Sequence, residues 1–437
     1  MAIRSAAMTP PTPALSPTRT RLALLALALG GFGIGATEFV ASGLLPNIAS
    51  DLLPRLDASS HQQAIAQAGT MISAYAAGVV VGAPTIAVFA ARLPRKGLLL
   101  ALVAAFTVGS LASAVAPTFG TLVLARFLAA LPHGAYFGIA SLVAASLMGP
   151  GKRGRGVAFV LSGLTIANVV GVPAITALGQ QAGWRAAYVC VAVVFALAAV
   201  AIWIVVPRQP GDPHATAARE LGGFKHLAVW VALLTGAVGF GGFFAVQSYI
   251  APLATQVTGL ASGFVPIALV VAGLGMTVGN IAGGHLADRG TIRALFLCFG
   301  GFAVSFVILG LGAHTPAGLF LGLFLVAGSA SALSPAIQTR LMDVAGESQT
   351  LAAAVNHSAL NMGNSIGALL GGAVIASGFG YLAPTWVGLA LCVPGVAFAI
   401  WGAALSRREH SRTAQTTTPP TARPTPEPAP GRENSGV

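Results

Sequence analysis

Two ionisable side chains of opposite sign stand inside apolar stretches of this sequence, and they are its first candidates for chemistry. Glu38 lies in the middle of the hydrophobic run that follows Arg21, and Arg126 lies well inside a separate run. A charge is costly in hydrocarbon, so an ionisable residue retained there indicates a functional site. His133 follows Arg126 by seven residues and shares its helix face. We predict that Glu38 carries a proton and that Arg126 or His133 controls its protonation.

The composition indicates that lipid surrounds most of the chain. Hydrophobic residues make up 55% of the 437 residues and charged residues 8%, and the mean hydropathy is +0.82. Soluble proteins carry about a quarter charged residues. The net charge of +12 could suggest a nucleic-acid partner, but the basic residues are scattered between apolar runs and form no basic face. We therefore expect no nucleic-acid partner.

Twelve runs are long enough to cross a bilayer as helices, which takes about 20 mostly apolar residues each. If both termini are cytoplasmic, all but three of the 23 lysines and arginines fall on the cytoplasmic side, as the positive-inside rule requires. The exceptions are Arg55, Arg185 and Arg126. The runs cover residues 22–48, 68–91, 96–116, 119–146, 156–180, 186–206, 227–250, 261–285, 293–313, 317–337, 350–376 and 382–404.

These runs divide into two similar sets of six. In the first set, Gly33, Gly35, Ser42 and Pro46 recur 206 residues later as Gly239, Gly241, Ser248 and Pro252. We predict a cytoplasmic segment over 1–21, a six-helix bundle over 22–206, a linker over 207–226, a second bundle over 227–405 and a disordered tail over 406–437. Glycines four apart in the second, eighth and eleventh runs predict close helix contacts, which we expect to form the sliding seam between the bundles.

Short motifs in the loops point to a particular family. Residues 87–96 read AVFAARLPRK and residues 284–290 read GHLADRG. Both resemble the Gly-x-x-x-Asp-Arg-x-Gly-Arg-Lys loop of the major facilitator superfamily, and the second copy keeps the Asp-Arg pair. Gly171-Val172-Pro173 is similar to the antiporter motif of the superfamily's efflux branch, and Arg126 is similar to that branch's arginine in the fourth helix. With Thr37-Glu38-Phe39 and Gly183-Trp184-Arg185, these motifs make residues 22–405 resemble the arabinose-efflux and chloramphenicol-resistance permeases.

The resemblance implies an all-α membrane protein of twelve transmembrane helices, built as two pseudo-symmetric six-helix bundles with a central cavity. It implies proton-coupled export of small organic molecules by alternating access. Conformational gating is expected from residues in the two loops and the fifth run: Arg92, Arg95, Lys96, Asp288, Arg289, Gly171 and Pro173. Aromatic and amide side chains suit a cavity for a partly polar solute, with packing as their alternative role: Phe240, Phe244, Gln247, Tyr249, His357, Asn361 and Asn364.

The main alternative is an uptake permease or an uncoupled facilitator of the same superfamily. An enzyme is not expected, because the sequence contains no catalytic cluster and no large extramembrane domain. The chain also contains no nucleotide-binding Gly-x-x-x-x-Gly-Lys-Ser/Thr loop, so ATP is not an expected partner. No metal or cofactor is expected, since the three cysteines lack metal-ligand spacing. We expect a monomer in a bacterial plasma membrane, with a proton, a small-molecule substrate and lipid as its partners.

Overall fold

A computed structural model of the chain describes residues 16–90, 93–149, 152–211, 227–345 and 349–416. The described part is helical, and it contains twelve helices that are long and apolar enough to cross a membrane. We number them span 1 to span 12. They cover Pro17–Leu52, His61–Ile86, Arg95–Ala114, Phe119–Met148, Arg155–Ala182, Trp184–Val205, Leu227–Gln247, Ser262–Asp288, Thr291–Gly312, Pro316–Leu341, Asn356–Phe379 and Ala383–Leu405. The predicted fold class is confirmed.

Several helices extend beyond the predicted runs. The helix of span 1 begins at Pro17, and the helix of span 2 covers His61–Ala90, after a short helix over Pro54–Ser59. The helices of spans 10 and 11 cover Pro316–Ala345 and Gln349–Val374.

The predicted disordered tail is partly wrong, because the helix of span 12 continues to Thr416. Residues 406–416 contain arginines, a glutamate and alanine, which favour helix, and the first proline after them is Pro419. Residues 417–437 and 1–15 lie outside the described part, as does most of the predicted 207–226 linker. The predicted limits of the two bundles stay predictions.

Two of the spans are interrupted at prolines. Span 4 consists of the helices Phe119–Ala130 and His133–Met148, which meet at Leu131 and Pro132. Span 5 consists of Arg153–Ile166 and Val172–Ala182, joined by a π-helical turn over Ala167–Gly171. Proline donates no backbone hydrogen bond, so the helix must reorganise around it. The breaks set the directions of His133 and of Asn168.

The two halves repeat the same helix packing. A Cβ added to Gly78 in span 2 would lie 2.3 Å from the Phe127 carbonyl oxygen of span 4, and one added to Gly275 in span 8 would lie 2.3 Å from the Phe324 carbonyl oxygen of span 10. Both partners are displaced by 197 residues (Gly78 to Gly275 and Phe127 to Phe324). The duplication seen in the sequence therefore corresponds to equivalent contacts.

The prediction that these glycine faces form the seam between the halves is wrong. The glycines of span 2 face span 4, and the glycines of span 8 face span 10, which are contacts within a half. Gly363 and Gly367 of span 11 face the carbonyls of Ala237 and Gly241 in span 7, again within a half. Spacing shows that a helix face permits close approach, but it does not identify the neighbouring helix.

The halves meet where span 2 packs on span 11 and where span 5 packs on span 8. The Ser73 hydroxyl donates to the Ser365 carbonyl at 3.3 Å, and the Ser365 hydroxyl donates to the Ser73 carbonyl at the same distance. The Gln180 amide donates to the Ser262 carbonyl at 3.2 Å. This last contact lies at the end of the molecule that carries Asp51, which we call the Asp51 end. The opposite end is called the Lys96 end.

Candidate functional site

Glu38 lies in the middle of span 1 at the contact between the halves. Its side chain is 8% exposed. The Asn364 amide, from span 11 of the other half, donates a hydrogen bond to Glu38 Oε1 at 3.4 Å. Span 1 is apolar on either side of this point, so the carboxyl is held away from water by the surrounding helices. A contact that joins the two halves must break or re-form when they move.

Arg126 is fully buried and holds span 1 directly beside Glu38. Its Nη1 donates to the Thr37 hydroxyl at 2.8 Å, and its Nη2 donates to the Thr37 carbonyl at 2.7 Å. The guanidinium carbon lies 4.2 Å from the ring centroid of Tyr75 and 5.3 Å from that of Tyr188. Charge-assisted hydrogen bonds and cation–π contacts together compensate a buried guanidinium. Arg126 therefore ties span 4 to spans 1, 2 and 6.

Arg126 interacts electrostatically with Glu38 but directs these two N–H groups to Thr37. Within the described residues, the ion pairs join His61 to Asp57 and Arg185 to Asp51, and neither involves Glu38. The positive charge thus balances the carboxylate from the adjacent residue. This arrangement leaves the carboxylate oxygens free to exchange a proton or to bind another partner.

His133 lies in a neighbouring cluster around Tyr75. The Tyr75 hydroxyl and His133 Nδ1 form a hydrogen bond of 3.2 Å. The His133 ring centroid lies 6.3 Å from that of His357 in span 11, and the Phe137 ring stacks on His357 at 5.3 Å. Tyr75 contacts Arg126 with its ring and His133 with its hydroxyl, so it connects the two candidates for control of Glu38.

Sequence reasoning assigned no role to Thr37, Tyr75 or Tyr188. Thr37 was part of a quoted motif, and the two tyrosines are among only five in the chain. A buried tyrosine usually needs a partner for its hydroxyl, which is the one signal that could have drawn attention to them. Nothing in the spacing indicates that their rings would enclose Arg126.

The predicted cavity residues fall into three groups. Phe240, Phe244 and Gln247 of span 7 are buried, and the Phe244 ring stacks on Phe39 of span 1 with centroids 6.2 Å apart. Asn361 and Asn364 of span 11 are buried at 4% and 1% exposure. The third group is His357, in the His133 cluster, and Tyr249, whose hydroxyl donates to the Ala368 carbonyl at 2.8 Å. Tyr249 lies in the seam near the Asp51 end, away from Glu38.

The predicted gating residues lie at several places. Lys96 Nζ donates to the Trp203 carbonyl at 2.7 Å, and the Arg95 backbone N–H donates to the Gln209 carbonyl at 3.1 Å, so both tie span 3 to the end of span 6. Asp288 and Arg289 are exposed at the end of span 8. Gly171 and Pro173 lie at the π-helical turn of span 5, and Arg92 lies outside the described residues.

Metal-ligating side chains do not cluster in the described residues, where no group of three or more His, Cys, Asp or Glu could hold a metal ion. The polar elements of the site are one carboxyl, one guanidinium, amides, hydroxyls and imidazoles. Such groups bind protons and polar organic molecules, and they need no cofactor to do so.

The chain matches one family model, described as Major Facilitator Superfamily, over residues 27–317 and 233–431. It is 39% identical over 361 residues to the inner membrane transport protein YdhP of Escherichia coli K12, covering 82% of this chain and 90% of that protein. It is 33% identical over 369 residues to a chloramphenicol resistance protein of Streptomyces lividans, covering 84% and 92%. The putative transporter AraJ of Escherichia coli K12 is 30% identical over 406 residues, with 92% and 98% covered.

Solved structures share the fold. A D-xylose-proton symporter superposes with a TM-score of 0.68 at 17% identity, covering 87% of this chain and 97% of that one. A bacterial homologue of the human lysosomal transporter Spinster, in an inward-facing and unoccupied conformation, gives 0.66 at 17% identity, with 89% and 97% covered. At this identity the likeness concerns the arrangement of the helices alone.

Proposed function

Because this chain belongs to the Major Facilitator Superfamily, a family of membrane transporters and not of enzymes, we propose that it is a proton-coupled exporter of small organic molecules. It works by alternating access in a bacterial plasma membrane, with Glu38 as the proton carrier. The candidate substrates are sugars, drugs of the amphenicol type and nucleoside-like metabolites.

The observation that carries this proposal is the position of Glu38. The carboxyl is buried at the contact between the halves and hydrogen-bonded to Asn364 of the opposite half. A carboxyl away from water is most stable when neutral, unless a positive charge or hydrogen-bond donors stabilise its ionised form. Arg126 and Asn364 supply both near Glu38. Movement of one half against the other changes those contacts, and this couples proton exchange to the conformational cycle.

The relatives support export. One relative bears the name of a chloramphenicol resistance protein, and another is named an inner membrane transport protein. Resistance by transport requires that the drug leave the cell. Inward movement of protons down their gradient would then supply the free energy for outward movement of the solute.

We propose that both termini are cytoplasmic, which makes the Asp51 end the outer end. The distribution of basic residues supports this orientation, since all but three of the 23 then lie inside or near the inner surface. At the outer end Arg185 pairs with Asp51, and its second nitrogen donates to the Ala116 carbonyl at 3.3 Å. These contacts lie within one half, so they keep that end of the half together while the halves move.

Transport by purified protein in proteoliposomes tests the proposal. A pH gradient of the physiological sign should drive solute against its concentration gradient in the wild type and fail to do so in Glu38→Gln, which resembles the protonated carboxyl. Substrate binding should persist in that variant. Ser42→Ala removes another buried polar group from span 1 and serves as the control.

Two outcomes would contradict the proposal. Gradient-driven accumulation that survives in Glu38→Gln would exclude Glu38 as the carrier and leave His133 or His357 as candidates. Wild-type flux that ignores the pH gradient would indicate an uncoupled facilitator, and flux in the opposite direction would indicate an uptake permease.

A further inference from the structure

Span 11 carries buried amide oxygens that have no protein partner. In the part of the chain that the structure describes, Oδ1 of Asn356, Asn361 and Asn364 is buried without a hydrogen bond. The amide nitrogens of Asn361 and Asn364 are used, on the His357 carbonyl at 3.0 Å and on Glu38 at 3.4 Å. Exchanging O and N in either amide would therefore break a bond that exists. Unsatisfied buried acceptors are rare in native proteins, and each requires an explanation.

Asn361 and Asn364 both face the opposite half. Residues 357, 361, 364 and 365 follow the spacing of one helical stripe. On this stripe His357 contacts Phe137 of span 4, Asn364 contacts Glu38 of span 1, and Ser365 contacts Ser73 of span 2. Asn361 therefore points between spans 1 and 4. Asn356 belongs to the stripe of Gly363 and Gly367, which faces span 7.

The groups that remain at this point are mostly hydrogen-bond acceptors. Two amide oxygens and the Glu38 carboxyl converge from both halves. A molecule that satisfies them must contribute donors, as a hydroxyl, an amide N–H or an ammonium group does. Left unsatisfied, each buried acceptor costs about 1–3 kcal/mol, so a ligand with matching donors gains selectively over one without them.

The charges favour a neutral ligand over an ammonium ion. Arg126 already balances the Glu38 carboxylate from Thr37. A cation entering the site would add a second positive charge, and it would face Arg126 alone whenever Glu38 is protonated. Repulsion between like charges is strong where water is excluded.

An aromatic surface lies next to the acceptors. Phe39 follows Glu38 in span 1 and stacks on Phe244 of span 7, which in turn contacts Phe243 with centroids 5.0 Å apart. Flat apolar groups pack well on such rings. The site therefore offers acceptors on one side and aromatic faces on the other.

We propose that the substrate is an uncharged molecule that carries several hydroxyl or amide donors on one side and a flat apolar group on the other. Asn361 and Asn364 accept its hydrogen bonds together with Glu38, and they determine specificity. This inference rests on the proposed function only for the location of the substrate site. It concerns equilibrium binding and does not depend on proton coupling.

Binding to purified protein in nanodiscs, without any gradient, tests the inference. The probes are phenyl β-D-xylopyranoside, its tri-O-methyl ether and phenyltrimethylammonium, which differ in donors and charge but share the ring. The xyloside should bind, while the ether, which keeps the oxygens but lacks the donors, should bind at least about tenfold more weakly, as expected when two or more hydrogen bonds are lost. The cation should bind no better than the ether.

Substitutions assign the effect to residues. Asn361→Leu and Asn364→Leu should each weaken xyloside binding on the order of tenfold. Asn356→Leu removes an equally buried and unpaired amide that faces span 7, so it should leave binding unchanged. Thermal unfolding shows whether each variant is folded, and the comparison of probes on the wild type holds even if a variant is not.

Three results would overturn the inference: no binding of the xyloside at millimolar concentrations, equal binding of the ether, or preferred binding of the cation. Equal weakening by all three substitutions would also overturn it. Failure of proton-driven transport with intact xyloside binding would instead contradict the proposed function and leave this inference standing.

Discussion

Closure of the Asp51 end depends on Gly69, according to the contacts of Tyr249. Tyr249 of span 7 passes beside span 11, and its hydroxyl rests against Gly69 of span 2 in the opposite half. A Cβ added to Gly69 would lie 2.1 Å from the Tyr249 hydroxyl oxygen and 2.7 Å from its Cζ. Ordinary contacts lie at about 3.5 Å, so Gly69→Ala requires a local separation of more than about 1 Å.

The expected magnitude follows from that overlap. Overpacking of a close contact costs about 1–3 kcal/mol, and a penalty of this size confined to one conformation changes its population by roughly 5- to 150-fold. Gly69→Ala should therefore favour conformations in which the Asp51 end is open. Turnover should fall, because each transport cycle must pass through the closed arrangement.

Electron–electron distance measurements between spin labels at residues 59 and 261 provide the assay. Ser59 and Ala261 are exposed, lie at the Asp51 end and belong to different halves. Gly69→Ala should increase the fraction of long distances. Gly138→Ala, where an added Cβ meets nothing within 4 Å, is the control. Tyr249→Leu should suppress the effect of Gly69→Ala, which a double-mutant cycle measures.

An unchanged distance distribution in a folded Gly69→Ala variant would refute this reasoning. So would an effect of the same size in Gly69→Ala combined with Tyr249→Leu, because the overlap would then not be its cause. A large loss of substrate affinity in Tyr249→Phe, with closure unaffected, would instead support the sequence-based prediction that Tyr249 lines the substrate cavity.

Four further predictions follow from the site and its supports. Arg126→Ala removes the positive charge that favours the Glu38 carboxylate, so proton release should need a higher pH and the optimum for efflux should move upward, whereas Arg126→Lys keeps the charge and should move it less; transport across a pH series decides this. Asp288→Asn should slow turnover with little change in substrate affinity, since Asp288 is exposed at the end of span 8; a large loss of affinity at normal turnover would contradict it. Gly279→Ala places a Cβ 1.9 Å from the Gly328 carbonyl oxygen and should destabilise the protein by about 1–3 kcal/mol in thermal unfolding, whereas Gly284→Ala, with nothing within 4 Å, should not. A cysteine at position 59 should react with a membrane-impermeant maleimide in intact cells and one at position 152 should not, and the reverse would invert the proposed topology.

The sequence alone was sufficient to identify the membrane-spanning class, the twelve spans and the one buried acid. Span length and hydropathy are local properties, and the cost of burying a charge makes Glu38 and Arg126 stand out without any knowledge of their neighbours. Local rules were less reliable at the ends of helices. The continuation of span 12 to Thr416 depends on helix propensity in residues that were assigned by polarity.

The tertiary structure decided which residues meet. Helical spacing identifies the face on which a residue lies, but the helix that packs there depends on the arrangement of the whole bundle. For this reason the glycine faces of spans 2, 8 and 11 turned out to pack within each half. Arg126 was within reach of span 1, yet only the structure shows its guanidinium on Thr37 and between the rings of Tyr75 and Tyr188.

The same limit applies to the centre of the site. Glu38 and Asn364 are 326 residues apart in the chain and come from opposite halves, so no motif could pair them. Whether a buried amide oxygen has a partner is likewise a property of three-dimensional packing, because any residue of the chain could supply the donor. Sequence determined that a buried acid exists in span 1; the meeting of the two halves determined what surrounds it.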